Sequence, residues 1–474
     1  MFDQIYMSKQ KIRGKDLKKL NYKSDSSRSL AIEIMNKHYK HSSKEEKLNV
    51  LAELISSPED YKDHEFLSRL ASLFLDSKIV RLGTKFELRE EIPSYKVYGR
   101  KFISHDTLQQ MDTVMRLPIS IKGALMPDAH VGYGLPIGGV LATKNEIIPY
   151  GVGLDIGCRM SLSIYNVPAA FIERNSYKIK TALKANTFFG IGNLQSTIEE
   201  HEVLDRQAFR EIDILRKHHG KAKGQIGTSG SGNHFVEVGI VQLSDNNRFG
   251  LKGGDYVGVL AHSGSRGLGA AIANHYMRIA LDTCWLPKGA QHLAWLDLNS
   301  EAGQEYWISM NLAGDYAKAC HDVIHRKLAK ALGLKIHKKV ENHHNFAWKE
   351  LGDDNSEIIV HRKGATPASE DQLGIIPATM MDPGYIVSGS GNIDSICSAS
   401  HGAGRRLSRK NAKESITGSE LKKMLKQAKV TLIGGGVDEA PNAYKNIEEV
   451  MQSQSELVKV EGRFYPKIVR MDKN

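Results

Sequence analysis

The sequence predicts an α+β fold: one large core preceded by a small helical extension. Three observations point there. Apolar residues recur at helical spacing in tandem between Ser43 and Leu75. Beyond Glu91, short β-like runs alternate with glycine turns and occasional helices. No linker-like composition divides the remaining, roughly 380 residues, so they read as one unit.

Length and composition suit that reading. A chain of 474 residues, 41% apolar and 25% charged, can bury a sizeable core and has the make-up of a globular protein. No apolar run approaches the roughly 18 residues that span a bilayer, so no membrane partner is expected. The N-terminal MFDQIYMSKQKIRGK lacks the apolar stretch of a signal peptide, and a cytoplasmic location is expected. Cys158, Cys284, Cys320 and Cys397 form no CxxC pair, which fits a reducing compartment. A net charge of +11 favours a polyanionic partner without identifying one.

Residues 1 to about 42 are lysine-rich without a sustained period and read as a basic arm. Ser43 with Glu46 has the form of a capping box ahead of Leu48, Leu51, Leu54 and Ile55. After Ser57 and Pro58, a second helix would carry Phe66, Leu67, Leu70, Phe74 and Leu75. Arm and helices make up an expected extension over residues 1–95, with the core over 96–474. Within the core, Leu204 to His219 reads as a charged helix leading into the turn Gly227 to Gly232. Tyr256 to Ala261 reads as a buried strand delivering His262, and Ile358 to Val360 as one delivering His361.

The chemistry gathers around Met126 to Met160. Asp155 and Cys158 stand three residues apart among Gly151, Gly153 and Gly157, so carboxylate and thiolate can turn toward one point. A turn-forming aspartate and a small buried cysteine would leave the same trace, and further ligands must decide. His234, His262, His344 and His401 each sit beside Gly, Asn or Ser, at turns or strand ends where a ring can be presented. Three of these with Asp155 and Cys158 make a mixed oxygen, nitrogen and sulfur set. It is large enough for two metals if the thiolate bridges, and it suits manganese, zinc or iron. The glycine loops HSGSRGLG, HRKGATPA and SHGAGRR, carrying Arg266, Arg362, Lys363 and Arg405, also look like anion sites and favour a phosphorylated or nucleic-acid substrate.

Taken in order, MPDAH, GLDIGC, GNHFVEV, HSGSRGLG, HHN, HRKGATPA, SHGAGR and VDEAPNAYK resemble the RtcB family of RNA-splicing ligases, from about Val97 to the C-terminus. The resemblance implies a GTP- and manganese-dependent ligase acting in RNA repair or tRNA splicing. Such an enzyme joins RNA 3′-phosphate or 2′,3′-cyclic phosphate ends to 5′-hydroxyl ends through a histidine–GMP intermediate. Carried over position by position, it implies Asp155, Cys158, His234, His262 and His344 as ligands of two Mn2+ ions, and His401 as the guanylylated residue. Asn233, Phe235, Glu237, Asn345, Thr379, Gly402, Ala403, Gly404 and Lys473 would contact the guanylate. Asp128 matches a motif position without an assigned role. An archease-type activator is an implied partner.

The chain departs from the family pattern in places. Where the family usually reads IPGSMGTASYV, residues 376–387 read IPATMMDPGYIV, so Thr379 keeps one hydroxyl and Gly384 loses another. Arg159 replaces the usual glycine after the metal cysteine, and MDKN replaces a terminal lysine-glycine. These changes leave the metal set whole and bear on nucleotide specificity, which marks a divergent member. Two other readings stay open at this point: a metal-dependent phosphoesterase that processes RNA ends, and an RNA-binding protein with a retained metal site.

Overall fold

A computed structural model describes residues 12–22, 25–78, 83–190 and 199–472. The chain forms two compact units, Met1–Leu82 and Gly83–Asn474.

The smaller unit contains the helices Gly14–Lys19, Asp25–His38, Lys44–Ser56 and Ser68–Lys78. The capping box is present: Glu46 N–H donates to Ser43 Oγ at 3.2 Å, and Ser43 N–H donates to Glu46 Oε2 at 2.7 Å. Helical structure starts well before Ser43, so the expected basic arm is corrected over its described part. Leu17, Tyr22, Ala31, Ile34 and Met35 are buried with Leu51, Leu54, Leu67 and Leu70 in one core. Ala31, Ile34 and Met35 stand three and four apart on one helix face. Residues 1–11 lie outside the described residues.

The division between units also falls earlier than residue 95. Thr84–Lys85 pairs in parallel with Cys284–Trp285, and the Phe86 ring lies 4.6 Å from that of Trp295. Residues 84–95 therefore pack as part of the larger unit.

Two sheets organise that unit. A five-stranded sheet runs in the order Asn345–Leu351, Glu357–Lys363, Ile137–Thr143, Ser120–His130 and Lys96–Val97. An eight-stranded sheet has Ile336–His343 at one edge, followed by Arg159–Pro168, Gly254–Ser263, Phe235–Leu243, Val458–Met471, Gly384–Gly389 and Leu373–Ile376. Its remaining strand, Thr431–Ile433, runs parallel to Val458–Met471. The central strands are buried on both faces along most of their length, which suits their runs of Val, Ile and Leu. The long helix Glu301–Leu332 packs against this sheet. Ser300 caps its N-terminus by accepting from Gly303 N–H, and Gly333 ends it in the left-handed conformation.

The charged run expected as one helix from Leu204 to His219 is broken. A 3-10 turn at Glu202–Asp205 and a short helix at Ala208–Glu211 precede the helix Asp213–Gln225. Val203, Leu204, Phe209 and Leu215 are buried, so tertiary packing bends the segment where its charge pattern alone would run straight. The strand expected at Tyr256 to Ala261 lies within Gly254–Ser263. Among the described residues, no helix is long and apolar enough to cross a membrane.

Register brings the chemistry to one place. His262 pairs with both Met160 and Phe235, and Arg159 pairs with His343. Cys158, His234 and His344 each lie one residue beyond these paired positions, so four neighbouring strands deliver their side chains to the same end of the sheet.

Candidate active site

At that end of the sheet, five side chains converge. Cys158 Sγ lies 3.4 Å from His234 Nε2 and 3.2 Å from His262 Nε2. His234 Nε2 is 3.0 Å from Asp155 Oδ2, and His262 Nε2 is 3.3 Å from His344 Nε2. The potential ligand atoms fall into two groups, Asp155–Cys158–His234 and Cys158–His262–His344, each with its atoms within 4.8 Å of one another. Cys158 belongs to both.

Backbone bonds hold this arrangement. His344 N–H donates to Cys158 O at 3.0 Å, Gly157 N–H to Asn345 O at 2.8 Å, and Cys158 N–H to Asp155 O at 3.1 Å. Two glycines are required by close approach. A Cβ on Gly264 would lie 2.0 Å from Asp155 Oδ1, and one on Gly230 would lie 1.8 Å from His234 Nδ1.

The donor set fits a transition-metal ion. His262 Nδ1 lies 3.1 Å from Asn233 O; a proton donated along that bond leaves Nε2 with a free lone pair facing the thiol. Burial pushes His262 down to about 3 and His344 well below the usual histidine range, so these rings are neutral, as ligands must be. Two neutral imidazole nitrogens and a sulfur facing one another satisfy each other poorly. A cation among them resolves that conflict. Burial, reinforced by the Asp155 charge, holds Cys158 as a thiol well above its usual pKa, and a bound cation would favour the thiolate.

His401 stands beside this cluster and outside it, its ring 4.9 Å from that of His344. Its Nδ1 is 2.7 Å from Asp128 Oδ2, and the same oxygen accepts His401 N–H at 3.1 Å and Gly402 N–H at 3.3 Å. Asp128 is fully buried. Burial raises its carboxyl, but the charge and hydrogen bond of His401 outweigh that and keep it below the usual range. An acceptor fixed on Nδ1 selects the tautomer whose Nε2 carries the lone pair. Sequence reasoning singled out Asp128 but gave it no role, because its partner lies 273 residues away. His130, which also lines the cavity, was missed; burial depresses it to about 4, and its Nδ1 lies 3.1 Å from Asp128 O.

A cavity of about 390 Å3 joins these parts. Asp155, Cys158, His234, His262 and His344 line it together with His401, Gly402, Ala403 and Gly404. Asn233, Phe235, Glu237, Asn345 and Thr379 complete the expected residues along its wall. Lys473 lies outside the described residues. Glu237 is buried, which pushes its carboxyl up to about 8. Asn345 is built into the frame: its Oδ1 accepts Gly364 N–H at 2.9 Å, and its Nδ2 donates to Asp155 O at 3.3 Å. The Thr379 hydroxyl is engaged within its own loop. It donates to Asp382 Oδ2 at 2.5 Å and accepts Met381 and Asp382 N–H at 3.3 and 3.2 Å. Asp382 is thus the anion that the altered loop introduces, and it ties Thr379 in place.

The arginines expected in anion loops have internal partners. Arg266 donates to Thr228 Oγ1 at 3.0 Å and Gly190 O at 2.8 Å. Arg362, fully buried, forms a paired contact with Glu350 at 2.5 and 3.0 Å. Arg405 lines the cavity but donates to Glu439 Oε2 at 3.1 Å and Asp438 O at 2.7 Å. Lys363 lines the cavity and donates to Tyr133 O. His361 lies on its strand as expected but away from the cluster, accepting Ile148 N–H at 2.9 Å. Arg159 sits behind Cys158, with Nη2 3.4 Å from His343 Nδ1 and Nη1 3.6 Å from Glu341.

The family model described as tRNA-splicing ligase RtcB matches residues 110–472. The RNA-splicing ligase RtcB1 of Escherichia coli is 32% identical, over 76% of this chain and 92% of its own length. The tRNA-splicing ligases RtcB of Nanoarchaeum equitans and Thermococcus kodakarensis are 32% and 30% identical, covering 76% and 78% of this chain and 90% and 92% of their own. The matched span contains every residue that lines the cavity, from His130 to Met471, and the chain belongs to the RtcB family.

Proposed function

We propose that the protein is an RNA ligase that uses GTP and manganese to join a 3′-phosphate or 2′,3′-cyclic phosphate end to a 5′-hydroxyl end. The observation that carries this reading is the placement of His401: an imidazole oriented by a buried carboxylate, 4.9 Å from the ring of a candidate metal ligand. Asp155, Cys158 and His234 would hold one cation, and Cys158, His262 and His344 the other. When bound, these cations supply positive charge that offsets the charge developing on phosphate oxygens.

His401 Nε2 attacks the α-phosphorus of GTP, forming a P–N bond as the bond to pyrophosphate breaks. Asp128 accepts the Nδ1 proton's hydrogen bond throughout and stabilises the ring as it gains positive character. The RNA 3′-phosphate then takes the guanylate from His401, and the 5′-hydroxyl attacks the activated phosphate and expels GMP. Glu237, Phe235 and Asn233 would bind the guanine end, with Gly402, Ala403 and Gly404 offering backbone beside the phosphate. A cyclic end is opened by water before it enters this sequence.

The test is incubation with manganese and labelled GTP followed by denaturing electrophoresis. Label should stay on the wild-type chain and be absent from His401→Ala, and RNA with the two end types should give a longer strand. A wild-type chain that never takes up label would overturn the reading. The engagement of Thr379 by Asp382 favours one second reading, a metal-dependent phosphoesterase that opens cyclic ends without nucleotide. That enzyme would convert a 2′,3′-cyclic end to a monoester and give no longer product.

A further inference from the structure

A loop at the rim of the cavity, residues 131–136, has no part in the ligand cluster or the His401 pocket. Both residues that flank it, His130 and Ile137, line the cavity. Its backbone is firmly tied. Gln110 Nε2 donates to Gly132 O at 2.7 Å and Gly134 O at 2.6 Å, and Gly132 N–H donates to Gln110 Oε1 at 3.2 Å. Lys363, itself a cavity residue, donates to Tyr133 O. Gly134 has φ +70°, and a Cβ there would come within 2.9 Å of His292 O, so the loop presses against its neighbours.

The Tyr133 side chain contrasts with this anchored backbone. It is 71% exposed, and its ring stands at a steep angle to that of His292, with centroids 6.0 Å apart. Leu154, which lines the cavity beside Asp155, is 42% exposed. Single exposed apolar side chains are common on protein surfaces and need no explanation. Here the ring is large, and its backbone is already immobilised through a residue of the cavity wall, so little further ordering is required when something covers it.

We infer that Tyr133 is a stacking platform for an unpaired nucleobase at the RNA end whose phosphate or hydroxyl enters the cavity. This rests on the RNA-ligase reading and adds a base-binding element to it. Every base offers a π-face to such a ring, so the contact holds an RNA end without reading its sequence. The base could belong to the strand ending in 3′-phosphate or to the strand beginning with 5′-hydroxyl. Its chemistry is the same in both.

The test uses the full-length, manganese-loaded protein without GTP, and oligoribonucleotides carrying 2-aminopurine at the terminal position. One arm labels the 3′-phosphate strand and the other the 5′-hydroxyl strand. Stacking on Tyr133 should quench the fluorescence in at least one arm and so identify the strand. Tyr133→Ala should abolish that quenching and weaken binding by roughly tenfold. Tyr133→Phe and Tyr133→Trp should retain both, and labelling of each variant with GTP reports whether its centre is intact. RNA that binds by anisotropy yet stays bright in both arms overturns the inference, as does undiminished quenching by an intact Tyr133→Ala. A wild-type protein that neither binds RNA nor takes up GTP label instead removes the ligase reading, and the stacking role with it.

Discussion

Two groups of buried histidines lie in the larger unit. In the cavity, His262 and His344 direct Nε2 atoms at each other and, with His234, at the Cys158 side. Along the long helix Glu301–Leu332, His321 Nε2 faces Ser263 O at 3.2 Å, and His325 Nδ1 faces Ser163 Oγ at 2.8 Å. Burial pushes His325 to about 3, as it does His262, and takes His321 well below the usual range, as it does His344. Burial and neutrality are therefore common to both groups. What separates the two groups is the direction of the ring: toward other potential ligand atoms in the cavity, or toward a carbonyl or hydroxyl along the helix.

Cys158→Ala tests this contrast most severely, because it removes the atom shared by both ligand groups. Manganese bound per chain, measured by elemental analysis after gel filtration, should fall to near zero; retention of both ions would show that the thiol is peripheral. Asp128→Asn should come next. It leaves the ligands in place but weakens the orientation of His401, and single-turnover labelling by GTP should slow by roughly 100-fold or more at unchanged metal content. His325→Ala is the counterpart in the second group. It should lower stability to urea by about 2–3 kcal/mol through a cavity and an unpaired Ser163, with full metal content retained. Loss of metal in that variant would erase the distinction.

A pH-dependent effect concerns Glu237. Burial raises its carboxyl from 4.5 to about 8. Below pH 4.5 the group is protonated whether the chain is folded or not. As pH rises toward 8 the unfolded chain ionises and the folded chain does not, so stability falls by up to about 1.4 kcal/mol per pH unit and then levels off. Glu237→Gln should remove this slope. Urea unfolding of the metal-free protein between pH 5.5 and 8.5 should show the variant gaining on the wild type as pH rises. Parallel curves would show that the carboxyl ionises freely in the fold.

The candidate ligand cluster is legible in the sequence because Cys158, His234, His262 and His344 stand at strand ends beside glycine, asparagine or serine, and a thiol, a carboxylate and imidazoles together have few other uses. The role of Asp128 is not legible, because a lone aspartate announces no partner across the chain. The same limit applies to Arg266, Arg362 and Arg405. Their glycine-rich settings suggest anion binding, whereas Thr228, Glu350 and Glu439, found only by folding, occupy their donors. In the smaller unit, the helix Asp25–His38 escapes a reading by period because its apolar residues, Leu30, Ala31, Ile32, Ile34 and Met35, form a nearly continuous run broken only by Glu33. Thr379 shows a local conflict: its hydroxyl matches the expected contact in type, but Asp382, three residues on, captures it.

His344 is the single residue between Ile336–His343 of the eight-stranded sheet and Asn345–Leu351 of the five-stranded one. A join of one residue leaves no slack. Its amide is bonded to Cys158 O and its carbonyl accepts from Gly364 N–H, so the seam is stitched on both sides. Sliding one sheet past the other would tear these bonds before it moved His344 from its neighbours. The placement of His344 among the candidate ligands is accordingly a property of covalent connectivity.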